Sequence, residues 1–185
     1  MVTSLLSDAE SRMQKAVEAL RREMNGIRTG RASPALVENL TIDYHGVPMP
    51  LSQVATISAP EARLLVIQPW DKQVVTEIEK GILKSGLGLN PSTDGAIIRV
   101  PIPQPTEERR RDLVKVVRRH TEEARVAVRN IRRDTVDKLR GMERDKEISQ
   151  DESRRSQDQL QKLTDAAIGR IGLVADEKEA EVMEV

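Results

Sequence analysis

Two rhythms of hydrophobic and polar positions alternate along this chain. Leu6, Ala9, Met13, Val17, Leu20, Met24 and Ile27 recur at alternating three- and four-residue steps, the spacing of one face of an α-helix. Ser7-Asp8-Ala9-Glu10 has the form of a capping box and places a helix start there. Gly26 and Gly30 loosen the end of the pattern, and Pro34 forbids simple continuation. From about residue 29 to residue 104 the rhythm shortens. Runs rich in β-formers at 40–44, 51–57, 64–68 and 96–100 predict strands, and His45-Gly46-Val47-Pro48 predicts a turn. Val74, Val75, Ile78 and Ile82 share one side of a short helix over about 71–85.

The helical rhythm then returns. Thr106-Glu107-Glu108 marks a helix start, with acids at the positive end of the helix dipole. Leu113, Val117, Ala124, Ala127, Val128, Ile131 and Leu139 continue the apolar stripe, so this helix runs to about residue 145, or ~60 Å at ~1.5 Å per residue. Ser149-Gln150-Asp151-Glu152 is a second capping box, followed by Leu160, Leu163, Ala167, Ile171 and Val174. Gly169 and Gly172 fall inside this last pattern and weaken it by ~1 kcal/mol each relative to Ala. Three such helices close into a bundle that buries their stripes. The expected fold class is therefore α+β. A three-helix bundle from 1–29 and 106–185 is interrupted by a compact β/α/β domain over 30–105. Linkers near 30–34 and 101–105 join the two. Their Gly30, Pro34, Pro101, Pro103 and Pro105 are the candidate hinge residues, with the prolines making a stiff exit.

Composition narrows the class. Of 185 residues 38% are hydrophobic but only 1% are aromatic, with one Trp, one Tyr and no Phe. That favours an aliphatic bundle over a large globular core, and it disfavours base-stacking RNA modules, which need aromatic platforms. The absence of Cys excludes disulfides and thiol chemistry. No apolar run approaches the ~18 residues of a membrane span. The N-terminus turns acidic early, unlike a signal peptide, so a cytoplasmic protein is expected.

Charge adds the sharpest feature. The chain has net charge zero, yet between Arg109 and Arg133 it carries ten Lys/Arg against three acids. Arg111, Arg118, Arg125 and Arg132 are seven apart and form one helical stripe, with Arg129 falling within it. A charge run on a helix is ordinarily a solvated face. Here the one-signed bias and the heptad-like spacing point instead to a polyanion, nucleic acid above all, because guanidinium forks suit phosphate. After Lys146 the balance reverses to ten acids against five further bases, so the helical domain is electrically polarised.

Chemistry is sparse. His45 sits in a predicted turn and His120 on a helix flank, and both read as surface or packing residues. Gly86-Leu87-Gly88 lacks the strand–turn–helix setting and the Lys-Ser/Thr of a phosphate loop. No catalytic constellation, metal set or cofactor motif emerges, and an enzyme is not expected.

Several segments carry a resemblance: Ile27-Arg28-Thr29-Gly30-Arg31-Ala32-Ser33-Pro34, Gly86-Leu87-Gly88-Leu89-Asn90-Pro91, Ile98-Arg99-Val100-Pro101, Thr106-Glu107-Glu108-Arg109-Arg110, the run from Ala124 to Arg133, Asp145-Lys146-Glu147-Ile148-Ser149 and Gln161-Lys162-Leu163-Thr164-Asp165. In order, and over nearly the whole chain, they resemble the bacterial ribosome recycling factor family. One departure is Pro103-Gln104-Pro105, where a Pro-Pro-Leu-like stretch is the family pattern; it bears on hinge stiffness. The resemblance implies an L-shaped, monomeric, non-enzymatic translation factor without cofactor, whose inserted domain has two sheets around a short helix. It implies binding to the large ribosomal subunit through ribosomal RNA after termination, and splitting of the subunits with elongation factor G and GTP. The family's RNA-contacting arginines match Arg28, Arg31, Arg110, Arg129, Arg132 and Arg133. Only Arg129 and Arg132 of these belong to the stripe. A duplex-RNA chaperone and a coiled-coil adaptor are the alternative readings of the residues alone.

Overall fold

The computed structural model describes residues 1–184. They form two compact units, one of residues 1–28 with 107–183 and one of residues 29–106 with Glu184.

The first unit is a three-helix bundle of α1 (Val2–Asn25), α3 (Glu107–Arg144) and α4 (Gln150–Met183). Between α1 and α3 the second unit holds β1 (Thr41–Tyr44), β2 (Val47–Pro50), β3 (Ala55–Glu61), β4 (Leu64–Pro69), α2 (Val75–Lys84), β5 (Ser92–Asp94) and β6 (Ile97–Pro101).

Helix α1 starts upstream of the expected capping box. The Met1 carbonyl accepts from the Leu5 N–H at 3.2 Å, while Ser7 and Glu10 lie exposed inside the helix. Leu5 and Leu6 are half-buried, and Leu6 packs on the bundle core. Tertiary packing has extended the helix upstream of a local start signal. At α4 the local signal holds, since Ser149 Oγ accepts from the Glu152 N–H at 3.1 Å. The reversal before it uses Lys146 in the left-handed region, φ 61°. Helix α3 runs antiparallel to both neighbours, as cross-helix pairs show. Arg12 meets Asp134 at 3.7 Å and Glu23 meets His120 at 2.9 Å on one side. Arg132 meets Gln161 at 3.0 Å and Arg118 meets Glu179 at 3.1 Å on the other.

Ala9, Met13, Val17, Leu20 and Met24 are buried as the spacing predicts, with Val117, Ala124, Val128, Ile131, Leu160, Ala167, Ile171 and Val174 facing them. Ala127 is only half-buried. The seam also contains residues an apolar count passes over. Thr121, Thr135, Ser156 and Thr164 are buried, and each hydroxyl donates to the carbonyl four residues back, at 2.7–2.8 Å. Those bonds remove the cost of burying the hydroxyl, so small polar residues serve as thin packing layers.

In the inserted unit β1 and β2 form an antiparallel hairpin, Thr41 opposite Pro50 and Tyr44 opposite Val47. Its two-residue turn, His45 and Gly46, has φ of 51° and 87°, the positive pair a type I′ turn requires. The expected turn over 45–48 is thus shorter, and Val47-Pro48 begin a strand. Prolines are tolerated there because β1–β2 is a two-stranded sheet and one edge of each strand is unpaired. The second sheet has the order β3-β4-β6-β5 and is antiparallel throughout. Residues 51–53, expected in a strand, form a 3₁₀ turn, and β3 begins at Ala55. Strand β5 escaped the pattern because all three of its residues are exposed. Ile42, Leu51, Leu65, Ile67, Ile78, Ile82, Ile98 and Val100 make the core between α2 and the sheets. Asp71 opens the helical segment by accepting from the Gln73 N–H at 2.9 Å, and its other oxygen lies 2.9 Å from His45 Nε2.

The linker candidates separate into two kinds. Pro34 starts a 3₁₀ turn capped by Ser33, and Pro101 pairs with Leu64 in the sheet, so both belong to regular elements of the inserted unit. Ala32 donates to the Ala62 carbonyl and Ile102 to the Arg63 carbonyl, both at 2.8 Å, pinning the two strands of the connection to the β3–β4 turn. Gly30, Pro103 and Pro105 lie outside those two backbone pins, with the Pro103 carbonyl accepting from the Arg63 side chain at 3.3 Å. Gly30 has φ 77°, and a Cβ there would lie 3.3 Å from Pro105 Cγ, so only glycine suits the position.

Candidate nucleic-acid interface

Helix α3 carries the arginines, and its geometry sorts them. A seven-residue repeat on a straight α-helix drifts ~20° per heptad. Over the three heptads from Arg111 to Arg132 the stripe therefore turns by about 60°, towards the buried seam. Exposure follows that turn. The Arg111 and Arg118 side chains are 73% and 71% exposed, Arg125 is 35% exposed, and Arg132 lies half-buried against α4 with Nη1 donating to Gln161. The stripe is a shallow spiral that enters the α3–α4 groove.

Their acid partners differ as well. Arg111 is held by Glu107 and Arg118 by Glu179, so the first half of the stripe is compensated within the bundle. Glu122 lies between the next two, 3.6 Å from Arg125 and 3.0 Å from Arg129. Arg133 is exposed and has no ion pair among the described residues. Arg129, Arg132 and Arg133 thus share one turn in the middle of α3, served by a single bridging acid and one neutral amide. A surplus of guanidinium charge is concentrated there, where it favours a phosphate-bearing partner.

The other site candidates lie elsewhere. Arg28 is exposed just beyond the end of α1 and without an ion pair among the described residues. Arg110 is half-buried in the first turn of α3, with its Nε enclosed and unpartnered. Because α1 and α3 are antiparallel, these two occupy the same end of the bundle, ~28 Å along α3 from Arg129 at ~1.5 Å per residue. Arg31 belongs to the inserted unit, not the bundle, and its Nη1 is 2.7 Å from the Glu184 carboxylate.

Glu122 and Gln161 shape this site and were not singled out from the sequence. The spacing of Glu122 to Arg125 and Arg129 is a readable helical signal. Gln161 is contributed by another helix, so no local pattern points to it. His120, a surface or packing residue by its sequence setting, is 24% exposed and converges with Glu23 and Glu123.

Together these features define a two-unit α+β protein whose bundle presents a guanidinium-rich turn suited to phosphate. The family model for ribosome recycling factor matches residues 20–183. Ribosome-recycling factors from Geobacillus sp. (strain WCH70) and Syntrophomonas wolfei are 56% and 54% identical over 185 residues, covering all of this chain and all of each relative. A solution structure of ribosome recycling factor is 46% identical, covers all of this chain and 98% of its own, and superposes with a TM-score of 0.64. A second neighbour, 44% identical with full coverage of both chains and a TM-score of 0.60, is a model of the Thermus thermophilus factor. It was built together with Escherichia coli elongation factor G on the post-termination complex. The chain belongs to the ribosome recycling factor family. No helix among the described residues is long and apolar enough to cross a membrane.

Proposed function

We propose that this protein recycles ribosomes in the cytoplasm. It binds the large subunit after termination and, with elongation factor G and GTP, separates the subunits, without catalysing a reaction itself. The observation that carries the reading is the turn of Arg129, Arg132 and Arg133, on a chain whose full-length relatives are ribosome-recycling factors. In this reading the three hold ribosomal RNA phosphates, with Arg28 and Arg110 at the bundle end and Arg31 on the inserted unit as further contacts. Charge-assisted contacts of this kind release counterions, so affinity should fall steeply with salt. Sedimentation with ribosomes and with free RNA, at low and high salt, separates the alternatives. A recycling factor pellets with ribosomes in a salt-sensitive way, a duplex-RNA chaperone binds free RNA equally well, and a coiled-coil adaptor keeps its partner at high salt.

The same reading assigns a mechanical role to the connections. The inserted unit is joined to the bundle by two short segments, outside the pins at Ala32 and Ile102. Two strands side by side permit rotation and resist separation, and hinges are typically a few such residues. The inserted unit then reorients about Gly30, Pro103 and Pro105 while the bundle holds RNA. The chain has no native Cys, so a cysteine pair can be introduced to lock the two units. The locked protein should still bind ribosomes but fail to split them with elongation factor G and GTP. Splitting at the normal rate would reduce the connections to passive linkers.

A further inference from the structure

We infer that Glu23, His120 and Glu123 form a binding site for a divalent first-row transition ion, strapping the last turn of α1 to α3. One ligand atom from each of the three lies within 4.8 Å of the others. Glu23 Oε2 is 2.9 Å and Glu123 Oε2 3.6 Å from His120 Nδ1. Bonds of about 2.0–2.2 Å to zinc in a tetrahedron place neighbouring ligand atoms ~3.3–3.6 Å apart, so the cluster is near the required size.

Two further observations point to a cation. Neither Glu23 nor Glu123 pairs with any Lys or Arg among the described residues, although Arg22, Arg118 and Arg119 are close in sequence. Even with the imidazole protonated, two carboxylates face one positive charge. The second observation is an unsatisfied nitrogen. His120 Nδ1 is enclosed and makes no hydrogen bond, despite a carboxylate oxygen at 2.9 Å. A hydrogen bond needs that oxygen along the Nδ1 axis. Two carboxylate oxygens therefore lie within 3.6 Å of an enclosed nitrogen whose lone pair or proton neither of them takes up, and a cation between the three would occupy it. One nitrogen and two oxygens suit zinc and its first-row neighbours, and the exposed side of the carboxylates leaves room for water to complete the shell. The site is separate from the arginine turn and does not depend on the reading of that turn.

Titration calorimetry of the full chain with zinc chloride tests the inference. One ion should bind per chain, and Glu23→Gln and His120→Gln should each weaken binding at least about tenfold, since each removes one of three ligands. Glu23 is exposed and His120 partly so, and circular dichroism checks that the variants fold. Zinc should also raise the melting temperature of the wild-type protein, reversibly with chelator, and leave that of the variants unchanged. Absence of binding to the wild-type chain, or equal binding by wild type and variants, overturns the site and leaves a simple His–Glu ion pair.

Discussion

Positions 129 and 131 share a turn of α3 but face opposite ways, and this gives the most discriminating pair of substitutions. Ile131 is 8% exposed and packs in the bundle core, whereas Arg129 is exposed and pairs with Glu122. Truncating a buried Ile to Ala costs about 2–5 kcal/mol. Residual exposure and the better helix propensity of Ala place Ile131→Ala in the lower part, roughly 2–3 kcal/mol. At roughly 2–4 °C per kcal/mol for a chain of this size, the bundle should melt about 4–12 °C earlier. Arg129→Ala loses one exposed ion pair, worth about 0–1 kcal/mol, so its melt should barely move. Binding should show the reverse. Loss of a charge-assisted phosphate contact of ~1.5–3 kcal/mol weakens ribosome affinity by about tenfold to over a hundredfold. Helix ellipticity on heating and ribosome sedimentation at fixed salt measure the two effects. If Arg129→Ala melts earlier than Ile131→Ala, or if folded Ile131→Ala loses more affinity than Arg129→Ala, the assigned rotation of α3 is wrong.

Two helix glycines should respond oppositely to alanine. Gly169→Ala gains helix propensity with nothing within 4 Å of the new Cβ and should stabilise by about 1 kcal/mol; Gly81→Ala, whose Cβ would lie 2.5 Å from Ile42 Cδ1 in the core, should destabilise, as urea melts would show. Asp71 is held below the usual carboxylate value of 3.8, first by the Gln73 N–H and then by His45. A depressed carboxylate stabilises the fold above its unfolded value and loses that contribution as pH falls through the lower folded one. Asp71→Asn should therefore destabilise the inserted unit at neutral pH, by a margin that shrinks as pH falls below 3.8, followed by the fluorescence of Trp70, the chain's sole Trp, which lies in that unit.

Long periodic segments were the most legible part of the chain, because burial on one helix face repeats many times. All five core residues of α1 from Ala9 to Met24 are buried as their spacing requires. Its start was not legible, since Leu5 and Leu6 are held by partners far away in sequence, and these outweigh a local cap. Short strands were legible where one face is buried, as at Leu65 and Ile67. They were lost where it is not, as at Ser92–Asp94. The arginine stripe was visible as a repeat, but its turn into the α3–α4 groove needs the helix period and the place of the neighbour together. The convergence of Glu23 with His120 could not be read at all, because nothing local links α1 to α3.

The closeness of Gly30 and Pro105 bears on how the chain assembles during synthesis. α1 emerges first, but its seam must wait for α3 and α4, with the whole inserted unit in between. For a flexible loop of that length, bringing the ends together costs about 4 kcal/mol in chain entropy. The inserted unit is continuous in sequence and can fold while α3 is still being made. Once it has, its entry and exit lie side by side, and the loop is already tied. The bundle's longest closure is then made in advance, and α3 is delivered next to the helix it must cover.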